Sequence, residues 1–183
     1  LVGVIGVQLH METQLRDEIR QREVAEQRRR ALEQALAAPL AEGRITLVDG
    51  RIGIRGSVLF ALNSDALQPE GRKVLGTLAG PLGDYLRARD EILMVSGFTD
   101  DRDIHGDNLH FADNWELSAQ RALTVTRALI DAGIPSSSVF AAAFGAEQPV
   151  APNDDGDGRA RNRRVEMAPV PRHRASGGSG SGG

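Results

Sequence analysis

Two strand–helix–strand steps in succession constrain the fold of this chain more than any other feature. The apolar run Ile92-Leu93-Met94-Val95 reads as a buried strand, Asn114 to Ala132 as a helix stopped by Gly133, and Val139 to Phe144 as a further strand. Before them, Pro69 to Arg89 is a helix with proline in its first turn and an apolar stripe of Val74, Leu75, Leu78, Leu82 and Leu86. Val165-Glu166-Met167 supplies a last strand. Helices alternating with strands must pack on a shared sheet, so the spacing predicts an α+β sandwich with a mixed sheet. Upstream, Ile45 to Val48 and Arg51 to Ile54 flank Asp49-Gly50, a dipeptide that supplies the positive φ a two-residue hairpin turn requires. Val58-Leu59-Phe60 reads as a short strand or strand end.

Compact structure is expected from about Gly43. Met11 to Ala38 is a helix by propensity, ended by Pro39. Its apolar positions Leu15, Ile19, Val24, Leu32 and Leu36 keep no clean heptad, and its six arginines balance its six acidic residues. It is either a solvated stalk or one strand of a parallel coiled coil. The run Leu1 to Leu9 is too short to span a bilayer by itself. It reads as the end of a truncated transmembrane helix, with a buried strand as the alternative. Gly177 to Gly183 has flexible-linker composition. The expected organisation is 1–9 transmembrane remnant, 10–42 helical stalk, 43–171 folded domain and 172–183 linker.

Net charge of −3 opposes a nucleic-acid binder, and 4% aromatic content leaves few stacking platforms for bases or sugars. Without cysteine there is no disulfide framework and no thiolate metal site. His105, His110, Asp107 and Asp113 sit in one polar loop, but their spacing fits no standard ligand motif, and no metal or cofactor is expected. Asp100 and Asp101 are adjacent, so their side chains diverge, which is poor geometry for a carboxylate dyad. No Ser-His-Asp order or phosphate loop is present, so binding is a better reading than catalysis.

One pair of opposite charges stands out. Thr99-Asp100 should emerge just past the end of the strand Ile92–Val95, while Asn114, Ser118 and Arg121 recur at the four-and-three spacing of one helix face. A carboxylate and a guanidinium presented this way suit a zwitterion, or they form an ordinary internal ion pair. The helix N-terminus at Asn114 adds free N–H groups that favour a carboxylate. Asn114 is read first as the N-cap, with Asp113 and Glu116 able to form a capping box instead. Leu117 and Trp115 are read as packing residues, Trp115 alternatively as a groove wall. Arg163 and Arg164 are read either as contacts for glycan or ligand carboxylates or, more commonly for such a pair, as one buried partner for a carboxylate and one solvated residue.

These motifs, together with Phe60, Asn63-Ser64-Asp65, Leu67, Pro69-Glu70-Gly71, Gly145, Pro149 and the tail Gly158-Arg159-Ala160-Arg161-Asn162-Arg163-Arg164-Val165-Glu166, resemble the OmpA-like peptidoglycan-binding domain. The match runs from about Ile45 to Met167. Asn114-Trp115-Glu116-Leu117-Ser118 and the long loop after Thr99-Asp100-Asp101 are similar to the MotB-like branch, though Asp103 stands where that branch commonly has proline. The resemblance implies a two-layer OmpA-like sandwich of βαβαβ type, preceded by an N-terminal helix. It also implies that the diaminopimelate of a peptidoglycan stem is bound, with Asp100 on the ammonium and Arg121 on the carboxylate. Thr99, Asn114, Leu117, Ser118 and Arg164 would complete the site. By the same resemblance the chain is a non-catalytic wall anchor of a stator subunit in an ion-driven motor. It would be a single-pass protein of the bacterial inner membrane with this domain in the periplasm, a homodimer beside a MotA-like partner. A ZorB-like anti-phage motor subunit and an OmpA-like envelope scaffold or lipoprotein are the alternatives, with a cell-wall hydrolase last.

Overall fold

In the computed structural model, which describes residues 2–104 and 110–172, the chain opens with a long helix, α1 (Val2–Ala35), and a short one, α2 (Ala37–Ala41). Pro39 lies inside α2, where its missing N–H falls among the first-turn donors that no helix pairs internally. The helix therefore breaks at Leu36, ahead of the proline. A hairpin follows, β1 (Thr46–Val48) and β2 (Arg51–Arg55), turned by Asp49 and Gly50 at φ 52° and 77°.

Gly56–Leu59 forms a single helical turn, α3, where Val58-Leu59-Phe60 reads as a short strand or strand end; only Phe60 is extended, in an isolated antiparallel bridge with Leu67. The reason is packing. Leu59 and Phe60 are both buried, and consecutive strand residues point to opposite faces. Helix α4 (Pro69–Arg89) matches its predicted span, and Asp90 ends it in a left-handed conformation. Strand β3 (Glu91–Phe98) is longer than its apolar run. Helix α5 (Asn114–Asp131) leads through a short turn at Ser136–Ser138 to β4 (Val139–Ala143), and α6 (Gly156–Asn162) precedes β5 (Arg164–Pro171).

The five strands run in the order β1-β2-β5-β3-β4. Only β3 and β4 are parallel, joined by the α5 crossover, and β5 returns antiparallel between β2 and β3. Mixed sheet and covering helices agree with the expected sandwich. Leu93, Val95, Val165, Met167, Ile52 and Ile54 point from the sheet to one side, where Leu75, Leu78 and Leu82 of α4 and Ala122, Val125 and Leu129 of α5 meet them. Gly97 lets α5 approach β3 closely, because a Cβ there would fall 2.1 Å from the Ser118 carbonyl oxygen.

The end of α1 is part of this core. Leu32 and Leu36 are buried in it, and Arg28 Nη2 donates to Glu91 Oε2 at 2.8 Å. Compact structure thus begins well before Gly43; residues 2–27 are all exposed, and burial starts on one side of the helix at Arg28. Two buried leucines one turn apart are too few to register as a stripe. Val2 to Leu9 are helical and exposed, and among the described residues no helix is long and apolar enough to cross a membrane.

Candidate functional site

The C-terminal end of β3 opens into a groove of about 230 Å³ lined by Thr99, Asp100, Asn114, Leu117, Arg121 and Arg163, with Leu62, Asn63, Arg102, Asp103 and Ile104 at its borders. Its walls come from four segments: the chain leaving β3, the first turns of α5, the loop between Phe60 and Pro69, and Arg163 at the junction of α6 and β5.

Thr99 and Asp100 are held by backbone bonds. The Thr99 N–H donates to the Gly145 carbonyl at 2.8 Å, and its hydroxyl donates to the Asp100 carbonyl at 2.8 Å. Gly145 has φ of 57° and donates its own N–H to Ser118 Oγ at 3.0 Å, so β4's exit, α5 and β3's exit are pinned together. Ser118 is fully buried by this bond and lies beneath the groove, outside its lining. Trp115 packs against Gly145 and does not wall the groove.

Helix α5 is capped by Asp113, whose Oδ1 accepts the Glu116 N–H at 2.8 Å, while Glu116 Oε2 accepts the Ala112 N–H at 3.3 Å. Asn114 is therefore not the cap. Its Nδ2 donates to the Arg102 carbonyl at 2.9 Å and, more weakly, to that of Asp100 at 3.4 Å, drawing the loop against the helix.

Asp100 and Arg121 do not pair with each other. Asp100 is 7% exposed; its Oδ1 accepts the Arg102 N–H at 3.0 Å, and its Oδ2 accepts from Arg163 Nη1 at 2.6 Å. Arg121 is 6% exposed, donates from Nε to the Ser64 carbonyl at 2.9 Å and lies over the Phe60 ring at 5.1 Å. It forms no ion pair among the described residues. Burial pushes its guanidinium down to about 10, and the Arg163 charge acts the same way, with Asp100 and Asp65 opposing. It stays charged at neutral pH. The groove is thus lined by three arginines, Arg102, Arg121 and Arg163, and two carboxylates, Asp100 and Asp103, and the buried Arg121 forms no ion pair among the described residues.

Arg164, expected in the site, is on the other side of the sheet. It stacks on Phe98 at 3.9 Å and donates to the carbonyls of Asn162 and Gln148. Strand alternation explains this: β5 begins at Arg164, so the two neighbouring arginines point apart. Arg163 takes the place in the groove. The segment Phe60 to Ser64, quoted above only as a motif, supplies a ring and a carbonyl to hold Arg121. Of the loop residues weighed as metal ligands, His105 and Asp107 lie outside the described residues, and among the described residues no cluster of three or more such groups is formed.

Comparison with known proteins agrees with this architecture. Residues 59–163 match the OmpA family. The probable lipoprotein YiaD of Escherichia coli (strain K12) is 32% identical over 120 residues, 66% of this chain and 51% of the relative. A putative MotB-like protein from Desulfovibrio vulgaris superposes with a TM-score of 0.69 at 35% identity, over 83% of this chain and 99% of that one. The cell wall anchor of the T6SS from Pseudomonas aeruginosa superposes with a TM-score of 0.64 at 32% identity, over 78% and 97% of the two chains. The chain spans 51% to 63% of the length of the first curated relatives it matches. On the strength of the fold, the groove and these matches, the chain belongs to the OmpA family, in its MotB-like branch.

Proposed function

We propose that this domain is a non-catalytic anchor that binds peptidoglycan through the diaminopimelate of a stem peptide. The observation that carries the reading is the buried Arg121 guanidinium, without an anion, facing the same groove as the Asp100 carboxylate. A buried charge held in place by a carbonyl and a ring, with no ion pair among the described residues, is costly to a fold and suits an arriving carboxylate. The free end of diaminopimelate offers an ammonium and a carboxylate on one carbon. Asp100 takes the first and Arg121 the second, while Leu117 and Thr99 line the space between. Each charge-assisted hydrogen bond contributes about 1.5–3 kcal/mol when shielded from water. A wall that displays many stems adds avidity to a modest single-site affinity.

The test is co-sedimentation with diaminopimelate-type peptidoglycan. Asp100→Ala and Arg121→Ala should each abolish pelleting while the far-ultraviolet circular dichroism stays unchanged. Pelleting by both variants at the level of the unaltered protein would sink the assignment.

At the level of the whole protein, the likeness to a MotB-like structure supports a stator subunit: a periplasmic anchor on a single-pass inner-membrane helix, dimeric, beside a MotA-like partner. The exposed apolar residues Val2, Val4, Ile5, Val7 and Leu9 in one continuous helix fit the continuation of such a span. A second reading, an envelope scaffold without a motor, is favoured by the likeness to YiaD, a probable lipoprotein. The N-terminal sequence of the full-length gene product, and the mass of the mature protein isolated from cells, separate them. An apolar helix bearing an aspartate supports the motor, including its ZorB-like defence form, and a lipid-modified cysteine supports the scaffold.

A further inference from the structure

Helices α4 and α5 cover one face of the sheet, and the side chains that alternate with the core residues point to the other. Arg55, Arg164 and Phe98 stand in one row across β2, β5 and β3, and Gly53, Glu166 and Ser96 in the next. Two hollows lie on this face. One, of about 570 Å³, lies over β1, β2 and β5; the other, of about 320 Å³, lies over β5, β3 and the chain after β4. They share Arg51, Val150, Arg164 and Glu166 and so form one continuous groove. It has no lining residue in common with the groove past the end of β3.

Five arginines, Arg44, Arg51, Arg55, Arg161 and Arg164, line this face against one carboxylate, Glu166. Arg44 is paired at 2.6 Å with Glu70, which lies outside the lining. Arg164 is 9% exposed, and its two Nη atoms donate to the Asn162 and Gln148 carbonyls. Its buried Nε makes no hydrogen bond and lies 3.5 Å from Glu166 Oε1. Burial lowers this guanidinium, Glu166 opposes, and the Arg51 charge adds to the lowering. Arg51, Arg55 and Arg161 are exposed and form no side-chain hydrogen bond or ion pair among the described residues. The one carboxylate is thus engaged by the buried arginine, and three arginines remain. A chain of net charge −3 that collects them on one face sets up a local positive field there.

The rest of the lining is largely apolar. Val48, Val58 and Val150 border the arginines, and Met94, Phe98 and Phe144 continue beyond them. Val48 is 57% exposed and Val150 49%. A phosphate polymer would meet the guanidinium groups and leave these side chains in water, whereas a peptide covers both. From β1 to β3 the path crosses strands about 4.8 Å apart, roughly 14 Å in all, the reach of four or five extended residues. We propose that the helix-free face of the sheet is a docking groove for an extended acidic segment of another protein, its carboxylates on Arg51, Arg55 and Arg161 and an apolar side chain over Met94 and Phe144. Arginine forks suit carboxylates, and the apolar end fixes which way the segment lies.

The experiment is fluorescence anisotropy of a labelled, end-blocked hexapeptide with two glutamates two residues apart and a phenylalanine beyond them, titrated with the full chain. The unaltered chain should saturate it, and the same peptide with glutamine at both acidic positions should bind about tenfold more weakly or worse. Arg51→Glu combined with Arg161→Glu should weaken the glutamate peptide by a similar factor. Arg51→Gln combined with Arg161→Gln should show a smaller loss, and it carries the test if the charge-reversed variant fails to fold. Val150→Ser should weaken the peptide about threefold, one exposed apolar contact being lost. All these variants should pellet with peptidoglycan as the unaltered chain does; reduced pelleting would make the face part of wall binding and overturn the proposal. No saturable binding of the glutamate peptide, or equal binding of the glutamine peptide, also overturns it. If Val150→Ser has no effect and inorganic polyphosphate displaces the peptide, the face is a general anion surface. If the unaltered chain self-associates and the arginine variants do not, the occupant is a second copy; both results overturn the proposal.

Discussion

Near each end of strand β3 a buried carboxylate is paired with a part-exposed arginine, and the surroundings of the two pairs differ. At the start, Glu91 is 6% exposed and meets Arg28 at 2.8 Å; just past the finish, Asp100 is 7% exposed and meets Arg163 at 2.6 Å. In distance and burial the pairs are near twins. Their surroundings separate them. Glu91 lies where α1 docks, in the neighbourhood of Leu32 and Leu36, and its charge is matched by one arginine. Burial alone would lower the Arg28 guanidinium, but the hydrogen bond and charge of Glu91 outweigh it, and the net direction is upward. Around Asp100, Arg163 takes the ion pair and the buried Arg121 is left without one, lowered by burial first and by the Arg163 charge after it. A buried ion pair is thus no sign of function in this fold. A leftover buried charge beside open space is the sign.

The contrast can be broken in four places. The largest effect belongs to the docked helix: Leu36→Ala should lower unfolding free energy in urea by about 4 kcal/mol, the usual range for a fully buried leucine. Leu15→Ala, 57% exposed on the same helix, should change it by less than about 0.5 kcal/mol. Equal effects would mean that α1 does not dock through its last turns. Next, Arg28→Met leaves the buried Glu91 without this partner and should destabilise by about 1–2 kcal/mol in the same measurement, less than for a fully buried pair because Arg28 is part-exposed. Full stability in this variant would show that Glu91 reaches water and that the two ends are not comparable.

Arg121→Met should act with the opposite sign. Removing an uncompensated buried charge should raise stability by about 1 kcal/mol even after loss of the Ser64 bond, while binding to peptidoglycan disappears. Lower stability would place Arg121 with Arg28 as a structural residue. The smallest effect is in pH dependence. Because the folded protein holds the Arg121 proton less tightly than the unfolded chain, the unfolded state binds more protons from about pH 10 up to the ordinary arginine range. This group's contribution to stability therefore rises with pH across that window. A urea-midpoint series at alkaline pH should show a shallower rise in Arg121→Met than in the unaltered protein.

Much of the fold was legible because local signals and tertiary demands agreed. Proline at the first position and a five-residue apolar stripe placed Pro69–Arg89 as a helix of the right length, and Asp49-Gly50 placed the hairpin turn. Asp100 and Arg121 could be brought to one groove because a strand end and a helix face have fixed periods. The loop from Phe60 to Ser64 was visible only as a pattern. Its carbonyl and ring gain a purpose only when α5 brings Arg121 against them, which no periodicity encodes.

By itself, then, the sequence determined the hairpin, the helix Pro69–Arg89, the strand–helix–strand step that follows it, the mixed sheet and the two charges at its end, because hydrophobic period, capping and turn chemistry act over a few residues. Tertiary structure alone decided the partnerships. Asp113 rather than Asn114 caps α5, since Asn114 is drawn to the Arg102 carbonyl; the start of β5 turns Arg163 toward Asp100 and Arg164 toward Phe98; and α1 ends inside the core because Leu32 and Leu36 find α4 there. Each outcome depends on which group lies within about 3 Å across a packed interface. Sequence spacing cannot express such a distance between residues as far apart as Asp100 and Arg163.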